Sequence, residues 1–169
     1  MNKTEKKLNI KLLVTISILV ALHVILSRFF SINAWNIRIG FAFIPIFVAA
    51  YLHGPLVAGT VAGIADVLGA ILFPSGPFFP GFTLTSILTG IIYGVLLNKQ
   101  QTKLRIAVAV LLDALICTIA LNSLWITLLY DTPYLALVST RVVQSVVTMP
   151  IEFVVIWQMS HVLKKMKNM

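Results

Sequence analysis

Charge is scarce in this sequence, and acid scarcer still: five Asp and Glu stand against thirteen Lys and Arg in 169 residues, and only 11% of positions are charged. Soluble domains carry about a quarter charged residues, so a soluble globular fold is excluded, and 59% hydrophobic residues point to an integral membrane protein. One cysteine, Cys117, excludes a disulfide framework and a Cys-based metal site, and reads as a small buried thiol in a helix. His23 and His53 lack ligand-like spacing, so no metal site or cofactor is expected. There is no GxxxxGK[ST] loop, no HExxH, no GxSxG, and no Ser–Lys or paired-Asp signature of an intramembrane hydrolase. The chain is therefore not expected to be an enzyme or to hydrolyse ATP itself. It also lacks the two related halves common in secondary transporters.

What remains is a series of apolar runs. A spanning helix takes about 20 mostly apolar residues, and six candidates fall at about 9–30, 40–53, 55–73, 80–98, 104–130 and 134–163. The first run, from about Leu12 to Phe30, is too long for the apolar core of a signal peptide and reads as a retained helix. The second is short and implies tilt or extension into the preceding loop. The expectation is one all-α domain over residues 1–169, a bundle of six transmembrane helices. Ten of the thirteen basic residues sit in three clusters: Lys3, Lys6, Lys7 and Lys11; Lys99, Lys103 and Arg105; Lys164, Lys165 and Lys167. Six spans place all three clusters on one side. Positive residues concentrate on the cytoplasmic side, so both termini are expected there; a net charge of +8 would otherwise suggest nucleic acid, but its clustering between and outside the apolar runs implies no nucleic-acid partner. Residues 31–39, 74–79 and 131–133 then face outward. Small residues four apart, Gly59 and Gly63, then Gly90 and Gly94, predict close helix packing inside the bundle.

Ionisable groups inside spans are costly and mark candidate sites. At 1.5 Å per residue, Asp66, Asn122, Trp125, Arg141 and Gln144 lie about 8–15 Å from the outer ends of their helices. Three helices thus bring a carboxylate, two amides, an indole and a guanidinium to one layer. Two readings stay open: an Asp66–Arg141 pair that holds the bundle together, or a pocket for a flat, polar, partly anionic molecule. Asp113 and Glu152 lie deeper, where hydrogen bonding within the bundle is expected. Between helices three and four, PSGPFFPGFTLT (Pro74–Thr85) holds three prolines and three phenylalanines. Phe78, Phe79 and Phe82 read as plates at the rim of that layer, with Thr83 and Thr85 able to donate inward. Asn33, Trp35, Asn36 and Arg38 supply a second rim, and Arg38 could meet a carboxylate.

Several stretches resemble a known family: NIRIGFAFIP (Asn36–Pro45), Gly54-Pro55, AGIADVLG (Ala62–Gly69), FPGFTLT (Phe79–Thr85) and LTGIIYG (Leu88–Gly94). They are similar to the substrate-binding S component of an energy-coupling factor (ECF) vitamin transporter, most closely the folate-specific kind. The resemblance implies a six-helix, multi-pass cell-membrane protein that binds folate from outside. It also implies partnership with a membrane T component and two cytoplasmic ATPases, and toppling in the bilayer to deliver the substrate. Another flat metabolite, such as riboflavin or a queuosine precursor, is the alternative ligand. Where the family's first helix carries an Ala-x-x-x-Ala docking motif, this sequence has Ser17 and Ala21.

Overall fold

The computed structural model describes residues 10–34, 37–74 and 76–167, with the backbone alone for 32–34, 37–39 and 167. The chain forms α1 (Ile10–Arg28), a hairpin of β1 (Ser31–Ala34) and β2 (Ile37–Gly40), then α2 (Phe43–His53), α3 (Pro55–Leu72) and α4 (Pro80–Leu97). A single rod follows, made of α5 (Lys103–Leu112), a π-helical segment (Asp113–Leu121) and α6 (Asn122–Tyr130), and α7 (Tyr134–Lys167) closes the bundle.

The breaks have local causes. Gly54 takes φ 84°, a value open to glycine, and lets α3 begin at once with Pro55 in its first turn. Pro80 starts α4 in the same way. Thr102 caps α5 by accepting the Arg105 backbone N–H at 3.3 Å. Asp131, in the left-handed region at φ 54°, ends α6. Pro150 lies inside α7, as membrane helices tolerate.

The chain rises and falls. Near one end of the bundle, Phe29 meets Phe73 edge to face at 5.1 Å, which brings the C-terminal ends of α1 and α3 together. At the other end Asn98 Nδ2 donates to the carbonyl of Ala50 in the last turns of α2 at 3.0 Å. There too the Lys103 ammonium sits 4.9 Å from the centre of the Trp157 ring, joining α5 to the far part of α7. Lys99, Lys103 and Lys164 therefore share this basic end, and the hairpin lies toward the other.

Helices α3 and α4 are the most closely packed pair, for the reason the small residues predict. A Cβ on Gly90 would stand 2.6 Å from the backbone of Ala58 and Gly59, so only hydrogen permits the approach. Ala49, Ala50, Ala58, Ala62, Phe47, Tyr93 and Leu97 are wholly buried in this core. Large apolar side chains such as Leu56, Ile71, Leu104 and Leu135 remain on the outside, as a bundle solvated by lipid requires.

Two expectations need correction. Five helical segments, Ile10–Arg28, Pro55–Leu72, Pro80–Leu97, Lys103–Tyr130 and Tyr134–Met166, are long and apolar enough to cross a membrane. The expected second span is an 11-residue helix, about 16 Å long and half of a ~30 Å hydrocarbon core. The segment before it does not extend that helix, and the fold is not purely helical: β1 and β2 pair antiparallel, Ser31 opposite Gly40 and Asn33 opposite Arg38. Four strand residues at ~3.3 Å each can cover most of the missing depth. Pairing between the strands satisfies backbone groups that a loop would leave bare. In the other direction, α7 has 34 residues, about 51 Å, and runs well past a bilayer core.

Candidate ligand-binding site

Three tiers of polar and aromatic side chains run inward from the hairpin end. In the first, Thr83 at the start of α4 donates to Asp66 Oδ2 at 2.8 Å. The arginine whose charge reaches Asp66 is Arg28, at the end of α1. Its Nε lies over Gly69, one turn beyond Asp66, where an added Cβ would come within 2.9 Å. The Asp66–Arg141 pair, one of the two readings the sequence left open, is not seen among the described residues: Arg141 meets the Thr118 carbonyl, and α1 presents its own arginine to α3.

The aromatic part of this tier sits on α4 and α6. Trp125 Nε1 donates to Thr85 Oγ1 at 2.9 Å, and the Thr85 hydroxyl in turn donates to the Gly81 carbonyl at 3.1 Å. The indole lies directly over Gly81: a Cβ there would stand 2.6 Å from Trp125 Cδ2 and 2.5 Å from Phe79 Cε1. Phe79 lies 5.6 Å from Trp125 and 6.1 Å from Phe82, centre to centre. Of the three expected plates, Phe79 and Phe82 join Trp125 in one cluster, while Phe78 is half exposed outside it.

In the second tier, Arg141 is only 6% exposed. Its Nη1 donates to the Thr118 carbonyl in the π-helical segment at 3.3 Å, and its Nε has no partner. A π-helical stretch widens the helix and recurs at functional sites. Asn122, one turn beyond Thr118, is partly buried, and Gln144 is buried on the face of α7 that carries Arg141.

The third tier is deeper. Thr89 Oγ1 donates to Asp113 Oδ1 at 2.6 Å, and the hydroxyl of the buried Tyr93 donates to Glu152 Oε2 at 3.4 Å. Both inner carboxylates are thus hydrogen-bonded within the bundle, as expected. Cys117 is buried in the π-helical segment.

Arg141, Gln144, Thr148 and Glu152 are spaced three or four apart, so α7 turns one polar stripe inward from the second tier to the third. Beside its inner part lies a cavity of ≈ 270 Å³ between the end of the hairpin, the start of α2 and α7. Phe30, Phe41 and Phe43 line one side, and Thr148, Ile151 and Glu152 the other.

Residues 11–159 match the family described as ECF transporter, substrate-specific component. The chain belongs to that family. It is 36% identical over 153 residues to the folate transporter FolT of Clostridium novyi (strain NT), covering 90% of this chain and 88% of that protein. It is 35% identical to the folate transporter FolT of Leuconostoc mesenteroides, covering 86% of this chain and 82% of that one. A crystal structure of FolT bound with folic acid superposes with a TM-score of 0.84 at 34% identity, over 88% of this chain and 92% of that chain.

For this substrate-specific component, then, the expected residues divide into groups. Asp66 and Thr83 meet directly, and Phe79 meets both Phe82 and Trp125. Arg141 and Gln144 stand on α7, across the rod that carries Asn122 and Trp125. Trp35 and Asn36 fall outside the described residues, as do the side chains of Asn33 and Arg38. Ser17 and Ala21 are exposed on α1, the Ser17 hydroxyl donating to the Leu13 carbonyl at 3.0 Å. Sequence reasoning missed Arg28 and the phenylalanines at the hairpin base. A signal for Arg28 existed: it is one of three basic residues outside the clusters, with Arg38 and Arg141, and all three are arginines. No comparable pattern marks Phe30, Phe41 and Phe43, which a helix–hairpin–helix path brings together.

Proposed function

We propose that this chain is the folate-binding S component of an ECF-type importer. It captures folate and works with a membrane T component and two ATPases, which supply the energy that its own sequence cannot. The observation that carries this reading is the near full-length likeness to FolT bound with folic acid. The basic end faces the cytoplasm by the positive-inside rule, so both termini lie inside and the hairpin end receives the ligand.

The polar tiers fit such a ligand in kind. Folate joins a flat heteroaromatic ring to a dicarboxylate tail. Arg141, buried without a carboxylate partner among the described residues, offers a charge-assisted contact to the tail. Arg38 at the mouth is a second candidate. Asn122 and Gln144 offer donors and acceptors along the lane between the tiers. Trp125, Phe79, Phe82 and Phe78 form the aromatic mouth that stacks on the ligand and excludes water. Asp66, held by Thr83, orders the mouth and completes its polar rim. Ser17 and Ala21 on the exposed face of α1 form a smooth patch for the T component.

The test is a calorimetric titration of the purified chain with folic acid, with riboflavin and a deazapurine queuosine precursor as competitors. Saturable binding near one folic acid per chain, undisturbed by the competitors, is the expected result. Tight binding of either competitor without folic acid would keep the family and replace the ligand.

A further inference from the structure

We propose that Glu152 is the specificity carboxylate for the ring half of the ligand, accepting the two adjacent N–H donors (N3–H and the 2-amino group) along the edge of a pterin. The inference rests on the folate reading and deepens it.

The argument starts from the cavity. At ≈ 270 Å³ it falls just below the usual range of small-molecule pockets, about 300–1,000 Å³, so it suits a ring system better than a whole folate. Phe30, Phe41 and Phe43 give it an aromatic side, which favours a flat partner. Among the described residues, Glu152 is the one ionisable side chain in its lining. Tyr93, buried in α4, donates to Oε2 at 3.4 Å and orients the carboxylate from behind. A carboxylate accepts about four hydrogen bonds, so one from Tyr93 leaves room for two more.

Two parallel N–H groups on a planar edge meet a carboxylate as a fork, the arrangement that makes guanidinium–carboxylate pairs strong. A pterin presents that pair; a flavin ring does not, since its corresponding edge carries carbonyls on both sides of one N–H. The carboxylate therefore selects between flat rings that the phenylalanines cannot tell apart. Specificity of this kind comes from a buried polar group left unpaired by the wrong ligand. The rest of the molecule has a path: Thr148, Gln144 and Arg141 continue outward on the same face of α7. Arg141 lies eleven residues from Glu152, about 16 Å along the helix, so ring and tail are recognised at opposite ends of one stripe.

Calorimetry on the purified full chain tests this with two ligands: folic acid, and its 2-desamino-2-methyl analogue, which keeps the ring and N3–H but lacks the 2-amino donor. The wild-type chain should bind folic acid about 10- to 100-fold more tightly than the analogue. In Glu152→Gln that preference should fall to within about threefold, chiefly through weaker folic acid binding. Should Glu152→Gln not fold, Glu152→Asp, which keeps the charge but withdraws it by one methylene, reads the same difference. A folded variant with the wild-type preference overturns the inference and leaves the folate reading standing. Equal wild-type affinities for the two ligands do the same. A wild-type chain that binds neither ligand overturns both.

Discussion

Arg141 allows a prediction in which the sign separates two roles. The side chain is 6% exposed inside a membrane bundle; its described partner is one backbone carbonyl, Thr118 at 3.3 Å, and its Nε is unpartnered. A buried charge without a counter-charge is a cost to the empty protein, and replacing buried ionic groups by apolar ones of similar volume is often neutral or stabilising by 1–4 kcal/mol. Arg141→Met should therefore leave the melting temperature of the ligand-free protein unchanged or raise it. A hydrogen bond to a charged group contributes about 1.5–3 kcal/mol. The same substitution should thus weaken folic acid about 10- to 150-fold. It should also shrink the ligand-induced rise in melting temperature, since stabilisation by a ligand follows its affinity. Two measurements suffice: thermal unfolding of the detergent-purified chain with and without folic acid, and calorimetry for the affinity. If the empty variant melts well below wild type while affinity is unchanged, Arg141 is a structural clamp on the π-helical segment and the reasoning is wrong.

Other expectations follow from particular contacts. Gly90→Leu drives a side chain into the backbone of Ala58 and Gly59, which cannot yield; about 1–3 kcal/mol or more of destabilisation should appear as loss of a monodisperse peak in size-exclusion chromatography. Gly81→Ala displaces the Trp125 indole and breaks its bond to Thr85, so tryptophan emission should shift and folic acid should quench it less; an unchanged spectrum would remove this cluster from the mouth. Ala21→Trp enlarges an exposed face of α1 and should leave folic acid binding intact while abolishing co-purification with the T component and ATPases. Retained assembly would place the docking patch elsewhere.

Several features follow from composition and spacing alone. Apolar runs must cross a bilayer as helices, because lipid offers no partner for bare backbone groups; hence the main helices stand near their expected bounds, Pro55–Leu72 for 55–73 and Pro80–Leu97 for 80–98. The Gly90 contact followed from small residues four apart, since only they let two backbones touch. The expectation of a polar layer followed from the cost of charge in lipid, and its five residues divide between the first and second tiers. Pairing within that layer did not follow. Depth along a helix says which groups lie level, not which face each other, so Asp66 was open to Arg141 until the packing of α1 on α3 put Arg28 beside it. The hairpin escaped for a similar reason: four-residue strands carry too few positions to show alternation, and their partner is the strand itself rather than a periodic face. The cavity is a tertiary object altogether. The hairpin brings Phe30 and Phe43 together, but Glu152 lies far along the chain from both, and only the bundle's closure on α7 brings them around one space.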